Sequence, residues 1–303
     1  MIKNFKYTLL FIIVGGLAQP NISNATDFTL IHGPNERYYL HILKAAIEAA
    51  DGHHTLSTYD SLLAQGQSLR ALQDKTPLYN VVFSGHSTER EKKFSQIDIP
   101  LSRGLLGYRA FIILPKSEGH FSSIYTLKDL KEQITIGSAI NWPDTHILRR
   151  AGFLVRSAPS DLLWRMLRRE RFIAFPRGMS EIHFDLAMQL ADLTSPPVKI
   201  ENTVMLHYRF DHFYYLNKED LERTAIITQG LHRIYKNGKF MELFNAAYLN
   251  KGAFQNVNKY KRRIFEIPNP LNSSRINQIP DKFWHSLDDT VLKAQTVNFP
   301  PLH

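Results

Sequence analysis

Reactive side chains crowd together in residues 80–94, NVVFSGHSTEREKKF. An apolar run, Val81, Val82 and Phe83, ends at Ser84 and Gly85, and His86, Ser87, Thr88, Glu89 and Arg90 follow. A hydroxyl, an imidazole and a carboxylate within four residues could be a nucleophile with its base. They could equally be the polar lip of a binding site. The nucleophile elbow demands Gly-x-Ser-x-Gly on a strand-to-helix turn. Gly85-His86-Ser87 supplies its first half, but Glu89 stands where the second glycine must be. His86 is also too close in sequence to be aimed at Ser87 as a base. The stretch therefore reads as a site for holding, and no catalytic residue is assigned.

Metal chemistry has His41, His53, His54, His86, His183, His207 and His212 to draw on. None stands in a His-x-x-x-His or His-Glu-x-x-His frame, so no metal site and no cofactor are expected. Arg37, just after the first apolar run, is either an ordinary helix-face charge or a group pointing into a cleft beyond the strand ends. The run around Arg168 and Arg169 reads as a solvated helix face. Of the aromatic cluster at 208–216, one of Tyr208, Phe210 or Phe213 is expected to reach a cleft and the rest to be strand and core.

The elements that must position these residues alternate between strand and helix. FTLIHGP, HTLSTYDS, YNVVFSG, GYRAFIILP, ITIGS, RFIAFPRG and VMLHYRFDHFYYLNK read as strands, the last a single long one. Between them, Leu40, Leu43, Ile47 and Ala50 mark a helix ending at Gly52, and Thr126 with Asp129 opens another. Pro143 begins a helix that Gly152 ends, Ser160 caps the next, and Ile182, Leu186 and Leu190 share a face of a third. Long helices follow at 221–234 and 240–247. The alternation predicts an α/β architecture. The two long extended stretches, 107–115 and 204–216, bracket a block of about a hundred residues, as crossover strands bracket an inserted domain.

Lys3 and Lys6 precede the apolar run TLLFIIVGGLA, Pro20 ends it, and Ser23-Asn24-Ala25 offers small residues for cleavage. This is the pattern of a secretory signal peptide over residues 1–25, with the periplasm as destination. The 303 residues carry 37 Lys and Arg against 28 Asp and Glu, a net charge of +9, and contain no cysteine. Disulfides and thiolate nucleophiles are thereby excluded. Export and the scattering of the basic residues argue against a nucleic-acid partner. An anionic small molecule suits the charge better.

The segment 79–113, with its strand, Gly, hydroxyl residues, Glu-Arg, Pro-Leu and return strand, resembles the periplasmic solute-binding protein family 3, the type that serves amino-acid transporters. YTLKDLKEQITIGSAINWPDTHIL and LHRIYKNGKFMELF resemble two further signatures of that family, and the likeness runs over roughly residues 28–266. The resemblance implies a two-lobed type II periplasmic-binding-protein fold with two hinge strands, closing on a ligand. Lobe 1 would comprise 26–108 and 206–270, and lobe 2 the inserted 109–205. Residues 271–303 would be a C-terminal surface extension.

By the same resemblance, Gly85 with Ser87 or Thr88 would donate to a ligand carboxylate that Arg90 clamps. The helix N-terminus at 141–145, with Trp142, Asp144 and Thr145, would face the ligand from lobe 2. Where amino-acid binders of the family hold the ligand ammonium with Asp, this chain has Arg177, with Glu181 a turn further on. An anionic or zwitterionic ligand is therefore expected, and Tyr208 is added to its contacts. The implied protein performs no chemistry, is a monomer, and hands its ligand to a membrane transporter or sensor. Two other readings stay open: a periplasmic dehydratase or lyase using Glu89, Asp144, Glu181 or His86, and an orphan sensory or envelope-interaction module.

Overall fold

The computed structural model describes residues 25–33, 36–61, 63, 65–249 and 262–285. The expected signal segment, Ala25 apart, and residues 286–303 lie outside the described residues.

The first sheet is built from β1 (Thr26–His32), β2 (His54–Asp60), β3 (Val82–Gly85) and β4 (Phe94–Gln96). β1 pairs with β2 in parallel, and a parallel bridge from Leu30 to Val81 joins it to β3. A late strand, β11 (His212–Asn217), inserts antiparallel between β3 and β4. Helix α1 (Arg37–Ala49) buries Tyr39, Ile42, Leu43, Ala46 and Ile47, the i, i+3, i+4 stripe expected of a helix lying on a sheet. Helix α8 (Leu221–Lys236) lies against α1 at Gly230, where an added Cβ would fall 1.8 Å from the Ala46 carbonyl oxygen. Only a residue without a side chain lets the two backbones approach so closely.

The second sheet follows the order β12-β10-β5-β8-β6-β7. Its strands are β5 (Tyr108–Ile113), β6 (Ile136–Ala139), β7 (Val155–Ala158), β8 (Ala174–Gly178), β10 (Val204–His207) and β12 (Arg263–Glu266), with the short β9 (Lys199–Ile200) also on β5. Every residue of β5 is buried: Ala110 and Ile112 join one hydrophobic core, Phe111 and Ile113 the other. Helices α4 (Leu127–Gln133), α5 (Pro143–Arg150), α6 (Ser160–Arg168) and α7 (Ile182–Ala191) accompany this sheet. α4 opens with the capping box read from the sequence: the Asp129 amide donates to Thr126 Oγ1 and the Thr126 amide donates to Asp129.

One helix is added and three expectations are corrected. The stretch after Gly85 is a helix, α3 (Thr88–Lys93), with Ser87 as its N-cap accepting from the Arg90 amide; the Glu and Lys that follow are good helix formers. The single long strand at 204–218 is two, β10 in the second sheet and β11 in the first, because residues 208–211 carry the chain between sheets. Ser160 is the first helical residue of α6, with Pro159 before it as the cap. Leu190 does not share the inward face of α7 with Ile182 but stands exposed.

The C-terminal part also departs from the sequence reading. β12 pairs in parallel with β10, so this piece of 206–270 extends the second sheet. Beyond it the chain crosses back to the first core, into which Ile276, Ile279 and Phe283 are buried. The segment 271–285 is thus structural wall as well as surface.

Candidate functional site

Between the two sheets lies a cleft of about 530 Å³. α2 (Gln65–Ala71) contributes Leu69 and Arg70, the α3 turn contributes Ser87, Thr88 and Arg90, and the loop into α5 contributes Ile140, Asn141 and Trp142. His146, Leu271 and the ion-paired Glu89 and Lys93, 2.8 Å apart, also line it. Deeper in, a cavity of about 40 Å³ is lined by Gly85, Arg109, Trp142, Asp144, Arg177, Glu181 and His212.

Arg90 holds the position between the lobes. Its Nη1 donates to Ser84 Oγ at 2.8 Å and to the Gly85 carbonyl at 2.6 Å. Its Nη2 donates to Gln65 Oε1 at 3.3 Å and reaches the Asn141 carbonyl, across the cleft, at 3.5 Å. Among the described residues no carboxylate pairs with it, and burial lowers its pKa. The guanidinium is oriented by neutral acceptors, and Asp144 and Glu89 act on its charge only through space.

The inner cavity is different. Arg109, from the middle of the buried β5 run, pairs with Asp144 at 2.5 Å and with Glu181 at 3.3 Å. The Tyr208 hydroxyl donates to the same Asp144 carboxylate. Arg177 pairs with Asp185 at 2.6 Å and Glu181 at 3.0 Å, and stacks over Trp142 at 4.8 Å. Burial penalises both guanidinium charges, yet the neighbouring carboxylates win and hold their pKa values above the ordinary range. Burial pushes the Asp185 carboxyl upward, against the pull of Arg177. Two arginines thus face three carboxylates, so the inner cavity carries no surplus positive charge. Glu181 pairs with both arginines.

The residues singled out from sequence are distributed as follows. Ser87, Thr88, Arg90 and Trp142 line the large cleft, and Gly85, Trp142, Asp144 and Arg177 the inner cavity. Thr88 Oγ1 donates to the Leu271 carbonyl at 2.7 Å, so its hydroxyl is engaged by the chain itself. Thr145 is buried with Oγ1 against Ser138 Oγ and the Ala139 carbonyl, and Tyr208 is buried behind Asp144; neither lines a cavity. Arg37 is exposed at the start of α1 and lines neither cavity.

Arg109, Asp185, Arg70, His146 and Leu271 were not singled out. Arg109 carried a signal, a lone cation inside a strand that is otherwise entirely apolar. Leu271 carried none, because only the return of the C-terminal chain brings it to the cleft.

The nucleophile reading fails on geometry. The Ser87 oxygen caps α3, while His86 directs Nδ1 to Gln96 Oε1 at 2.8 Å and Nε2 to the Leu271 carbonyl at 3.0 Å. Among the described residues no group of three His, Asp or Glu side chains is arranged to hold a metal ion. No described helix is long and apolar enough to cross a membrane.

No family model matches the sequence, and no curated protein matches it significantly. Solved structures do match. An arginine third transport system periplasmic binding protein from Legionella pneumophila is similar at a TM-score of 0.55 and 13% identity, over 74% of this chain and 100% of its own. An ancestral arginine-binding protein bound to arginine is similar at 0.53 and 17%, over 73% and 98%. A histidine kinase sensor domain with similarity to periplasmic binding proteins is similar at 0.52 and 15%, over 74% and 96%. Two α/β units joined by β5 and the 204–217 crossing, a cleft between them, and full-length coverage of these structures together give this chain the two-lobed fold of the periplasmic solute-binding proteins.

Proposed function

We propose that this protein is a periplasmic solute-binding protein without catalytic activity, which holds a small anionic or zwitterionic molecule in the large cleft for a membrane transporter or sensor. The observation that carries the reading is Arg90, a cation fixed in the cleft wall with no carboxylate partner among the described residues. Arg70 and His146 add to it from either side, and Trp142 offers a ring face. A ligand carboxylate or phosphate meets this wall with charge-assisted bonds. The inner carboxylates Asp144 and Glu181 suit the ammonium of a zwitterion. A volume of about 530 Å³ lies in the usual range for small-molecule sites. Export is supported by the N-terminal sequence pattern, and a monomer is the simplest assembly. Against the enzyme reading stand the engaged candidates: His86 bonds Gln96 and the Leu271 carbonyl, Glu89 pairs with Lys93, and Asp144 and Glu181 pair with Arg109.

Thermal-shift screening against amino acids, dicarboxylates, short peptides and polyamines tests this. A ligand at a hundred times its Kd stabilises by about 2.7 kcal/mol. Arg70→Gln removes a cleft cation that forms no ion pair among the described residues, and is expected to weaken the shift while leaving the unliganded melt in place. A shift that Arg70→Gln and Arg90→Lys both leave intact would sink the proposal, as would a panel with no stabilising member.

A further inference from the structure

The charges on the wall of the large cleft are unequal. Arg70, Arg90 and Lys93 line it, together with one carboxylate, Glu89. Glu89 is held by Lys93 at 2.8 Å, so that pair brings no net charge to the wall. Two guanidinium groups are left. Arg90 bonds only neutral oxygens, with Asp144 and Glu89 acting on it through space. Arg70 is exposed and forms no ion pair among the described residues.

Gly66 sets where the Arg70 charge sits. A Cβ added at Gly66 would fall 3.5 Å from Arg70 Nη1, so the arginine folds back over the first turn of α2. Gln65, the adjoining residue of that turn, accepts from Arg90 Nη2 at 3.3 Å. Both guanidinium groups therefore meet the cleft at the same end of α2, one from that helix and one from α3. The Nη2 contacts of Arg90, to Gln65 and at 3.5 Å to the Asn141 carbonyl, are the longest it makes. A carboxylate binds a guanidinium at about 2.7–2.9 Å with a charge-assisted bond, and displaces such neutral acceptors. The rest of the wall is partly apolar: Ile140, 56% exposed, lines the cleft with Trp142 and Leu271. One compact anion would leave that surface against water and most of about 530 Å³ unfilled.

We propose that the cleft selects solutes carrying two separate carboxylates on a short apolar spacer, one held at Arg90 Nη2 and the other at Arg70. Arg70 is then the residue that sets specificity. The assignment rests on the solute-binding function proposed above. It holds with or without an ammonium group on the spacer.

Titration calorimetry of the full chain tests it with glutarate against butyrate and glutamate against glutamine, each pair differing by one anionic group. In at least one pair the diacid is expected to bind at least tenfold more tightly than its partner. Arg70→Gln should bring that ratio below threefold with little change in the Kd of the monoacid, and Arg70→Lys, which keeps the charge, should retain most of the preference. A merely structural role for Arg70 would weaken both members of a pair alike. Equal affinities within both pairs overturn the proposal, as does a preference that survives Arg70→Gln, or inorganic phosphate bound as tightly as the diacid. Binding that Arg90→Lys weakens and Arg70→Gln does not leaves the solute-binding function standing and removes the two-carboxylate class. Failure of all four probes also removes that class, and the wider thermal-shift panel then decides the solute-binding function by itself.

Discussion

Arg109 Nη2 and Asp144 Oδ1 stand 2.5 Å apart, one in a crossing strand and the other in the first turn of α5. Both side chains are withdrawn from solvent, and the Tyr208 hydroxyl donates to the same Asp144 oxygen. Arg109 is thus neutralised within the chain by Asp144 and Glu181. This pair joins the crossing strand to the wall of the cleft.

Breaking that pair is costly because the survivor stays buried. Asp144→Asn is expected to cost about 3 kcal/mol, the lower end of the range for a broken buried ion pair, since Glu181 still neutralises Arg109. Arg109→Met/Asp144→Leu should recover part of the loss. Urea midpoints of Arg109→Met, Asp144→Leu and this double form the cycle; strictly additive losses would show that the pair is not coupled.

Neighbouring hinge residues predict an unusual pH response. Burial pushes the Asp211 carboxyl up to about 6, despite bonds from Ser102, Gly104 and His212. Burial, with Arg109 nearby, pushes the His212 imidazole down to about 3. Between pH 4 and 6 the folded state holds a proton on Asp211 that the unfolded chain has released, so this residue favours folding as pH falls. Over the same window the unfolded chain protonates His212 and the folded state does not, so His212 disfavours folding as pH falls. The two slopes oppose and largely cancel. Asp211→Asn leaves only the His212 slope, so its stability relative to wild type should decline by about 1.4 kcal/mol per pH unit on acidification from 6 to 4. Denaturant melts at three pH values check this; parallel curves would refute it.

The C-terminal return adds a third connection between the lobes. Asn269 and Asn272 both donate to the Arg209 carbonyl at 3.0 Å, and Arg275 donates to the Gln96 carbonyl at 2.8 Å. Phe283 lies edge-on to Tyr235 at 4.7 Å in the first core. Phe283→Ala is expected to cost about 3–5 kcal/mol, as for other buried phenylalanines. Loosening the strap with Asn269→Ala/Asn272→Ala should raise amide exchange in residues 204–211 and widen the particle in small-angle scattering. Unchanged exchange would mean that the strap does not restrain the crossing.

At the α1–α8 contact, Gly230→Ala places a methyl group into the Ala46 backbone. Overpacking of this kind costs about 1–3 kcal/mol, and backbone cannot rotate away as a side chain can. Thermal unfolding of the variant gives the number directly; a melt within a degree of wild type would show that the helices can slide apart.

Much of the fold was legible. Apolar periodicity located α1, β3, β5 and β8, Pro143 marked the start of α5, and the Thr126/Asp129 spacing specified a capping box. The failures share a cause. Residues 204–218 look uniformly extended because nearly all their side chains are withdrawn from solvent, so nothing local marks where one sheet ends and the other begins. α7 misled in the opposite sense, since Leu190 fits a helical period yet points to solvent.

For this protein, local sequence determined the alternation of strand and helix, the absence of thiol chemistry, and the collection of hydroxyl and guanidinium groups after β3. Tertiary structure alone decided what those groups do. Ser87 became a cap, Thr88 was taken by the Leu271 carbonyl, Arg109 and Arg177 entered ion pairs, and Arg90 was left bonded to neutral oxygens. The reason is range. Hydrogen bonding along a helix or strand end is settled within a few residues, whereas the carboxylates that cancel an arginine come from segments brought together only when the lobes and the C-terminal return have packed.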